Sequence, residues 1–170
     1  SCSVDDWPLL KEVSEINKKI IISTGGTTFK TLIKTYNLFK SKNRDFSFMH
    51  CVWEYPTPLS CSNLNRIKML KQEFVDIEIG FSTHEKSTIP SLVPYAVAMG
   101  CSIIEKHVGI ETNKYKLNDY SCSPSNMRKL LSEINILNSA CNGKSLIEDN
   151  IIKDLKRGIY FRDNKRQGDI

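Results

Sequence analysis

The feature that most constrains the fold is a unit that occurs four times along the chain: a short apolar run, a polar turn and an amphipathic helix. Successive units begin roughly 25 to 35 residues apart, as in chains that alternate strands with helices. This alternation predicts a parallel sheet whose strands are joined by helical crossovers. The apolar runs lack polar alternation, which is typical of strands covered by helices or closed into a barrel. The predicted strands are 20–22, 46–52, 77–81 and 102–105.

Helical periodicity and capping residues predict the helices between these strands. Asp5 or Asp6 can cap the first helix, and Thr27 or Thr28 the second, because their side-chain oxygens can accept hydrogen bonds from free backbone N–H groups. Gly100 is placed to end the fourth helix. The predicted helices are 8–16, about 28–40, 63–74, 89–99 and 125–137.

Two α/β architectures are compatible with this order of elements: an open, doubly wound sheet and part of a (β/α)₈ TIM barrel. A complete barrel needs about 250 residues, so the 170 residues present would form only part of one. From residue 146 onward the repeat is lost and polar residues become frequent. We interpret 146–170 as a linker that leads into another module.

Composition excludes several classes of function. Hydrophobic residues at 40% and charged residues at 25% are typical of a soluble globular protein. No apolar run is long enough to span a bilayer and no signal peptide opens the chain, so we expect a cytoplasmic protein without membrane association. The net charge of +5 is scattered, which favours a small anionic ligand over nucleic acid. Six dispersed cysteines indicate reduced thiols. The sequence has no initiator Met, so we expect it to be a piece of a longer chain.

Polar residues and histidines follow each predicted strand. In parallel sheets the carboxyl ends of the strands share one edge, and ligands bind there. His84 and His107, at the ends of consecutive strands, could form a divalent metal pair, and the hydroxyls of Ser23 and Ser82 could hold a phosphate or carboxylate. The alternatives are a histidine that is only a hydrogen-bonded core group, a plain turn and cap after Ser23, and a salt-bridged layer at Glu105 and Lys106.

Five motifs together resemble the sialic acid synthase family, which includes N-acetylneuraminate synthase and its legionaminate, pseudaminate and spore-coat relatives. The resemblance rests on their order and spacing, and it extends over nearly the whole chain. The motifs are IISTGG at 21–26, HCVWEYPTP at 50–58, GFSTH at 80–84, IIEKHV at 103–108 and NDYSCSP at 118–124.

The resemblance implies a (β/α)₈ barrel of which residues 1–145 form the second half, with four to five strands, and 146–170 lead into a C-terminal antifreeze-like domain. The implied reaction is a transferase step of carbohydrate biosynthesis. Phosphoenolpyruvate condenses with an N-acylated amino sugar such as N-acetylmannosamine, giving a nonulosonic acid and phosphate. A divalent ion, Mn²⁺ or Mg²⁺, polarises the sugar aldehyde. The parent protein is expected to be a domain-swapped homodimer.

The resemblance also implies a role for particular residues. It identifies the metal ligands as His84 and His107, and the catalytic residues as these two together with Asp119. It assigns phosphoenolpyruvate to the hydroxyls of Ser1, Ser23 and Ser82, and the amino sugar to Tyr55 and Asp119. His50 is expected beside the site but not as a ligand.

The chain departs from the family pattern in ways that keep two hypotheses open. Thr83 stands where the family has Asp, and Trp53 where it has Asn or Ser. The family's phosphoenolpyruvate-binding lysines come from the first half of the barrel, and its sugar-binding arginine from the antifreeze-like domain of a partner subunit. The chain is therefore either an enzyme segment or a non-catalytic relative that binds a metal, anion or sugar without turnover. A sugar-phosphate acceptor is disfavoured, because no basic cluster follows the strands.

Overall fold

The computed structural model describes residues 3–88, 90–141, 162, 164 and 166–168. Within them, strands and helices alternate in the predicted order. The strands are β1 (Ile20–Ser23), β2 (Phe46–His50), β3 (Glu78–Thr83) and β4 (Ile103–Lys106). The α-helices are α1 (Trp7–Ser14), α2 (Phe29–Ser41), α3 (Asn65–Glu73), α4 (Val93–Ala98) and α5 (Pro124–Cys141).

Side-chain caps fix the starts of the first two helices. The Asp6 carboxylate accepts a hydrogen bond of 3.1 Å from the backbone N–H of Leu9 and so begins α1. The Thr28 hydroxyl accepts one of 3.2 Å from the N–H of Thr31 and begins α2. Of the four predicted cap candidates, these two are the caps. Each satisfies a backbone donor that has no partner inside the helix.

Helix α4 begins later than predicted. It starts at Val93, with Pro94 in its first turn, where the missing N–H costs nothing. The Val93 N–H donates to the Ser91 hydroxyl at 3.3 Å. Gly100 follows the helix with φ of 93°, a left-handed conformation that glycine adopts without strain.

The four strands form one parallel sheet in the order β1-β2-β3-β4. Ser23 is opposite Met49 in the β1–β2 register, and Thr83 is opposite Lys106 in the β3–β4 register. All strands run in the same direction, so their carboxyl ends lie at one edge of the sheet. Strands β1 and β4 are the outer strands of this sheet in the described part of the chain.

The hydrophobic core lies between one face of the sheet and the helices. Aromatic rings are at its centre: Phe48 contacts Phe46 and Phe74 edge to face, with ring centroids 5.6 and 5.0 Å apart. Other fully buried members of this core are Leu32, Phe39, Ile67, Leu70 and Ala96.

The opposite face of the sheet is open along β1. Ile22 points into the core and is 7% exposed, whereas its neighbour Ile21 points the other way and is 52% exposed. The sequence predicts strands that are either covered by helices or closed into a barrel. The side of Ile21 is the side to which Ser23 also points, two residues further along β1. Within the described residues, no helix is long and apolar enough to cross a membrane.

Two predictions concern residues outside the described part of the chain. Ser1 lies outside the described residues. Almost all of 146–170, predicted as a linker into an antifreeze-like domain, also lies outside them.

Candidate functional site

A cavity of about 370 Å³ lies at the carboxyl ends of the strands. The residues that line it are Ser23, Cys51, Tyr55, Ser82, His84, Glu105, His107 and Tyr120. Five residues predicted from the sequence therefore meet here: both histidines, the two serines and Tyr55. The strands place them, because each predicted residue except Tyr55 lies at or directly after the end of one strand.

Strand alternation explains which residues point into the cavity. Successive side chains of a strand lie on opposite faces, so residues two apart share a face. Ser82 and His84 share the cavity face of β3, and Glu105 and His107 share that of β4. Ser82 is opposite Glu105 in the strand register, and its hydroxyl donates a hydrogen bond of 2.6 Å to the Glu105 carboxylate.

The two imidazole rings lie side by side, with centroids 5.2 Å apart. His84 is buried, and its Nδ1 has no hydrogen-bond partner, whereas His107 is exposed. Burial lowers the pKa of His84, and the charge of a protonated His107 lowers that pKa further, while Glu105 partly opposes both effects. His84 is therefore held as a neutral imidazole, the form that binds metals.

Two tyrosines flank the imidazole pair. The Tyr55 ring meets His84 edge to face, with centroids 4.4 Å apart. The Tyr120 ring lies 5.0 Å from that of His107 and 5.7 Å from that of His84. These aromatic contacts limit the directions in which the imidazoles can turn.

The loops that carry the tyrosines are anchored to the backbone of the histidines. The Thr57 N–H donates to the His84 carbonyl at 2.8 Å, close to Tyr55. The Cys122 N–H donates to the His107 carbonyl at 2.9 Å, close to Tyr120. The loop that carries Tyr55 is thus bonded to the end of β3, and the loop that carries Tyr120 is bonded to the end of β4.

Glu105 and Lys106 do not form the salt-bridged layer considered as an alternative. They are neighbours on β4 and point to opposite faces. Glu105 accepts from Ser82 on the cavity side, and Lys106 pairs with Glu85 at 3.1 Å on the other side. Glu105 therefore contributes a carboxylate to the cavity.

His50 lies on the helix side of the sheet and is only 1% exposed. Its Nε2 is 2.9 Å from the Ser62 carbonyl, and its ring stacks on Phe81. Burial lowers its pKa, the Ser62 carbonyl raises it in part, and the charge of Arg66 lowers it. His50 does not line the cavity, in line with the expectation that it is no ligand.

Asp119 lies outside the cavity, whereas its neighbour Tyr120 lines it. Asp119 is exposed and is not among the residues that line the cavity, so its predicted catalytic and sugar-binding roles stay predictions. Tyr120 lines the cavity, and sequence reasoning missed it. The one sequence signal for Tyr120 is its position directly after Asp119 in NDYSCSP at 118–124.

Comparison with known proteins gives a match to one family model. The model described as "NeuB family" matches residues 1–145. The N-acetylneuraminate-9-phosphate synthase of Drosophila melanogaster is 34% identical over 138 residues, which are 79% of this chain and 36% of that protein. The N,N'-diacetyllegionaminic acid synthase of Campylobacter jejuni is 28% identical over an alignment covering the whole chain and 52% of that protein.

Solved structures show the same fold. The spore coat polysaccharide biosynthesis protein E of Chromobacterium violaceum superposes with a TM-score of 0.84 at 34% identity, over 91% of this chain and 47% of that one. The N-acetylneuraminic acid synthetase of Leptospira borgpetersenii, crystallised with citrate, gives 0.80 at 26% identity, over 91% and 54%. The chain spans about half the length of these proteins or less. Its four parallel strands and their helices are thus part of a (β/α)₈ barrel, which confirms the predicted fold class.

Proposed function

This chain belongs to the NeuB family, and on that premise we propose that it forms the metal-binding part of the active site of a nonulosonic acid synthase. The substrates would be phosphoenolpyruvate and an N-acylated amino sugar such as N-acetylmannosamine. The products would be a sialic acid or a related nonulosonic acid, and phosphate. The family supports the reaction class, and the arrangement of the cavity supports the division of roles.

The observation that carries the proposal is the pair of imidazoles in one cavity, 5.2 Å apart between ring centroids. His84 and His107 would hold a divalent cation, and water and substrate would complete its coordination. The residues fit this role because His84 is kept neutral and has a buried Nδ1 without a partner. In the described part of the chain no group of three or more His, Cys, Asp or Glu could hold a metal, so these residues would supply few ligands. The bound ion would act as a Lewis acid on the sugar aldehyde.

The serine hydroxyls suit the anionic substrate. Ser23 and Ser82 line the cavity beside the imidazoles, and hydroxyls can donate to phosphate or carboxylate oxygens. The Ser82 proton now bonds Glu105, and rotation about its C–O bond would redirect it to a substrate. Among the described residues that line the cavity there is no Lys or Arg. The cations that balance phosphoenolpyruvate would therefore come from outside these residues.

The aromatic wall suits the sugar side of the site. Tyr55 is half exposed and contacts His84, so it could pack against the sugar beside the metal. Asp119 lies in the loop directly before Tyr120, and its exposed carboxylate could accept hydrogen bonds from sugar hydroxyls. Both roles are part of the proposal.

The alternative, a chain that binds without turnover, draws its support from Trp53 and Thr83. Trp53 is 72% exposed and does not line the cavity. The Thr83 hydroxyl donates to Glu85, away from the cavity. Neither departure obstructs the space between the imidazoles and the serines, which favours the enzyme segment over the non-catalytic relative.

A titration with Mn²⁺ of the 170-residue chain tests the metal pair. Binding is measured as the loss of the electron paramagnetic resonance signal of the free ion. We expect saturable binding that is lost in His84→Ala and in His107→Ala, because each variant removes one of two imidazole ligands. His50→Gln is the matched control and should bind as the parent does, since His50 faces the helices. Equal binding by all four proteins would refute the metal pair.

A further inference from the structure

On the face of β3 and β4 opposite the cavity lies a network of buried polar groups that contains one ion pair. Glu85 and Lys106 form an ion pair of 3.1 Å, with side chains only 1% and 4% exposed. The same Glu85 oxygen accepts from the Ser91 hydroxyl at 3.1 Å and from the Leu92 N–H at 3.3 Å. Its second oxygen accepts from the Thr83 hydroxyl. A buried carboxylate is stable only with such partners.

The position of this network relates it to the two imidazoles. Thr83 directly precedes His84, and Lys106 directly precedes His107. Thr83 and Lys106 are opposite each other in the register of β3 and β4. By strand alternation they point away from the cavity while the histidines point into it. Glu85 contacts both, so a single carboxylate joins β3 and β4 immediately behind the imidazole pair.

We propose that Glu85 is a positioning residue: by holding Thr83 and Lys106 together, it fixes the separation of the His84 and His107 rings. Sites of this kind need their ligands held to within about 0.5 Å, and buried supporting contacts do this. The network also gives the Thr83 departure a physical account. The carboxylate missing from position 83 is supplied by Glu85, which joins β3 and β4.

Three variants test this positioning role. Glu85→Thr removes the carboxylate. Glu85→Gln keeps the size of the side chain but removes its charge. It is measured in place of Glu85→Thr if that variant does not fold. The exchange variant Thr83→Asp with Glu85→Thr moves the carboxylate to the strand position opposite Lys106.

The first readout needs no metal. In ¹H–¹⁵N spectra of the histidine rings, Glu85→Thr and Glu85→Gln should shift the signals of His84 and His107 and leave that of His50 in place. The exchange variant should return both signals towards the parent positions. The spectra are recorded at about pH 8, well above the ordinary imidazole pKa. Loss of the Glu85 charge, which raises the pKa of His84, then does not change its protonation. The readout involves no metal, so it stands apart from the proposed function.

The second readout is Mn²⁺ affinity, and this arm rests on the proposed function. Loss of a supporting contact typically weakens metal binding about 10- to 100-fold. We therefore expect a tenfold or greater loss in Glu85→Thr and recovery of most of the affinity in the exchange variant. Glu133→Gln is the matched control, because Glu133 lines the same 180 Å³ cavity as Glu85 but is exposed. It should change neither readout.

The outcomes separate the two proposals. If both single variants only lower the melting temperature, while ring signals and Mn²⁺ affinity of the folded protein stay unchanged, Glu85 merely stabilises the fold and the inference fails. Failure of the exchange variant to restore the ring signals would equally contradict it. If the parent chain binds no Mn²⁺, the proposed function fails, and the ring signals still decide the role of Glu85.

Discussion

At the scale of single residues, two histidines at strand ends have different environments. His50 is the last residue of β2 and points to the helices, while His84 follows the last residue of β3 and points to the cavity. An offset of one residue reverses the face on which a side chain lies. His50 therefore packs on Phe81, and His84 meets His107.

The pKa of His50 predicts a pH dependence of stability. Burial lowers that pKa below its ordinary value of 6.5, so the unfolded chain binds a proton more readily than the folded one. The free energy of unfolding should therefore fall as the pH drops below 6.5 and be fully regained above it. Carboxylates change the free energy of unfolding only at lower pH, because their ordinary pKa values lie at about 4.

Urea unfolding at about pH 7.5 and about pH 5.5 measures this effect. His50→Gln, whose amide can still donate to the Ser62 carbonyl, should show a smaller loss of stability between the two conditions. The pKa of His84 is also lowered, so His84 likewise reduces the free energy of unfolding at low pH, and this reduction remains in His50→Gln. An equal pH dependence in parent and variant would contradict the role given to His50.

At the scale of elements, the packing of β3 against its neighbours depends on Gly80. A Cβ at this position would lie 2.8 Å from the Ile103 carbonyl oxygen and 2.6 Å from the Met49 sulfur. The first contact is with the backbone of β4 and cannot be relieved by turning a side chain. Gly80 thus lets β2, β3 and β4 approach closely just before the site residues begin.

We predict that Gly80→Ala lowers the free energy of unfolding by about 1–3 kcal/mol, the usual cost of overpacking. Gly109→Ala is the control, because its Cβ would meet only the end of the Leu117 side chain, which can move aside. Urea unfolding of both variants measures the difference. Equal stability of the two variants would show that β3 and β4 can separate at little cost.

At the scale of the whole molecule, the described sheet has two outer strands and an open face. Ile21 is half exposed there, and the chain spans 36 to 54% of the relatives and structures compared above. An uncovered strand edge also exposes backbone groups that can pair with another chain.

We predict that a polypeptide of these 170 residues, assayed alone, releases no phosphate from phosphoenolpyruvate and N-acetylmannosamine with Mn²⁺. The reason is that no Lys or Arg of the described residues lines the cavity to balance the charge of phosphoenolpyruvate. A phosphate-release assay beside the N-acetylneuraminic acid synthetase of Leptospira borgpetersenii measures this. Phosphate release by the isolated chain would overturn the prediction, while Mn²⁺ binding without release would support the proposed division of roles.

The order of strands and helices and their parallel arrangement could be predicted from the sequence, because they follow from local properties. Apolar runs, helical periodicity and caps such as Asp6 and Thr28 act within a few residues of one another. The placement of His84 and His107 at one edge follows in turn, since parallel strands bring their carboxyl ends together.

Only the tertiary structure decided which of these side chains meet. The bond from Ser82 to Glu105, the stacking of His50 on Phe81 and the ion pair of Glu85 with Lys106 depend on the register between strands. Tyr120 reaches the imidazoles because its loop bonds back to the strand of His107. Register and loop anchoring are set by contacts between residues far apart in the chain, and local sequence patterns do not encode them.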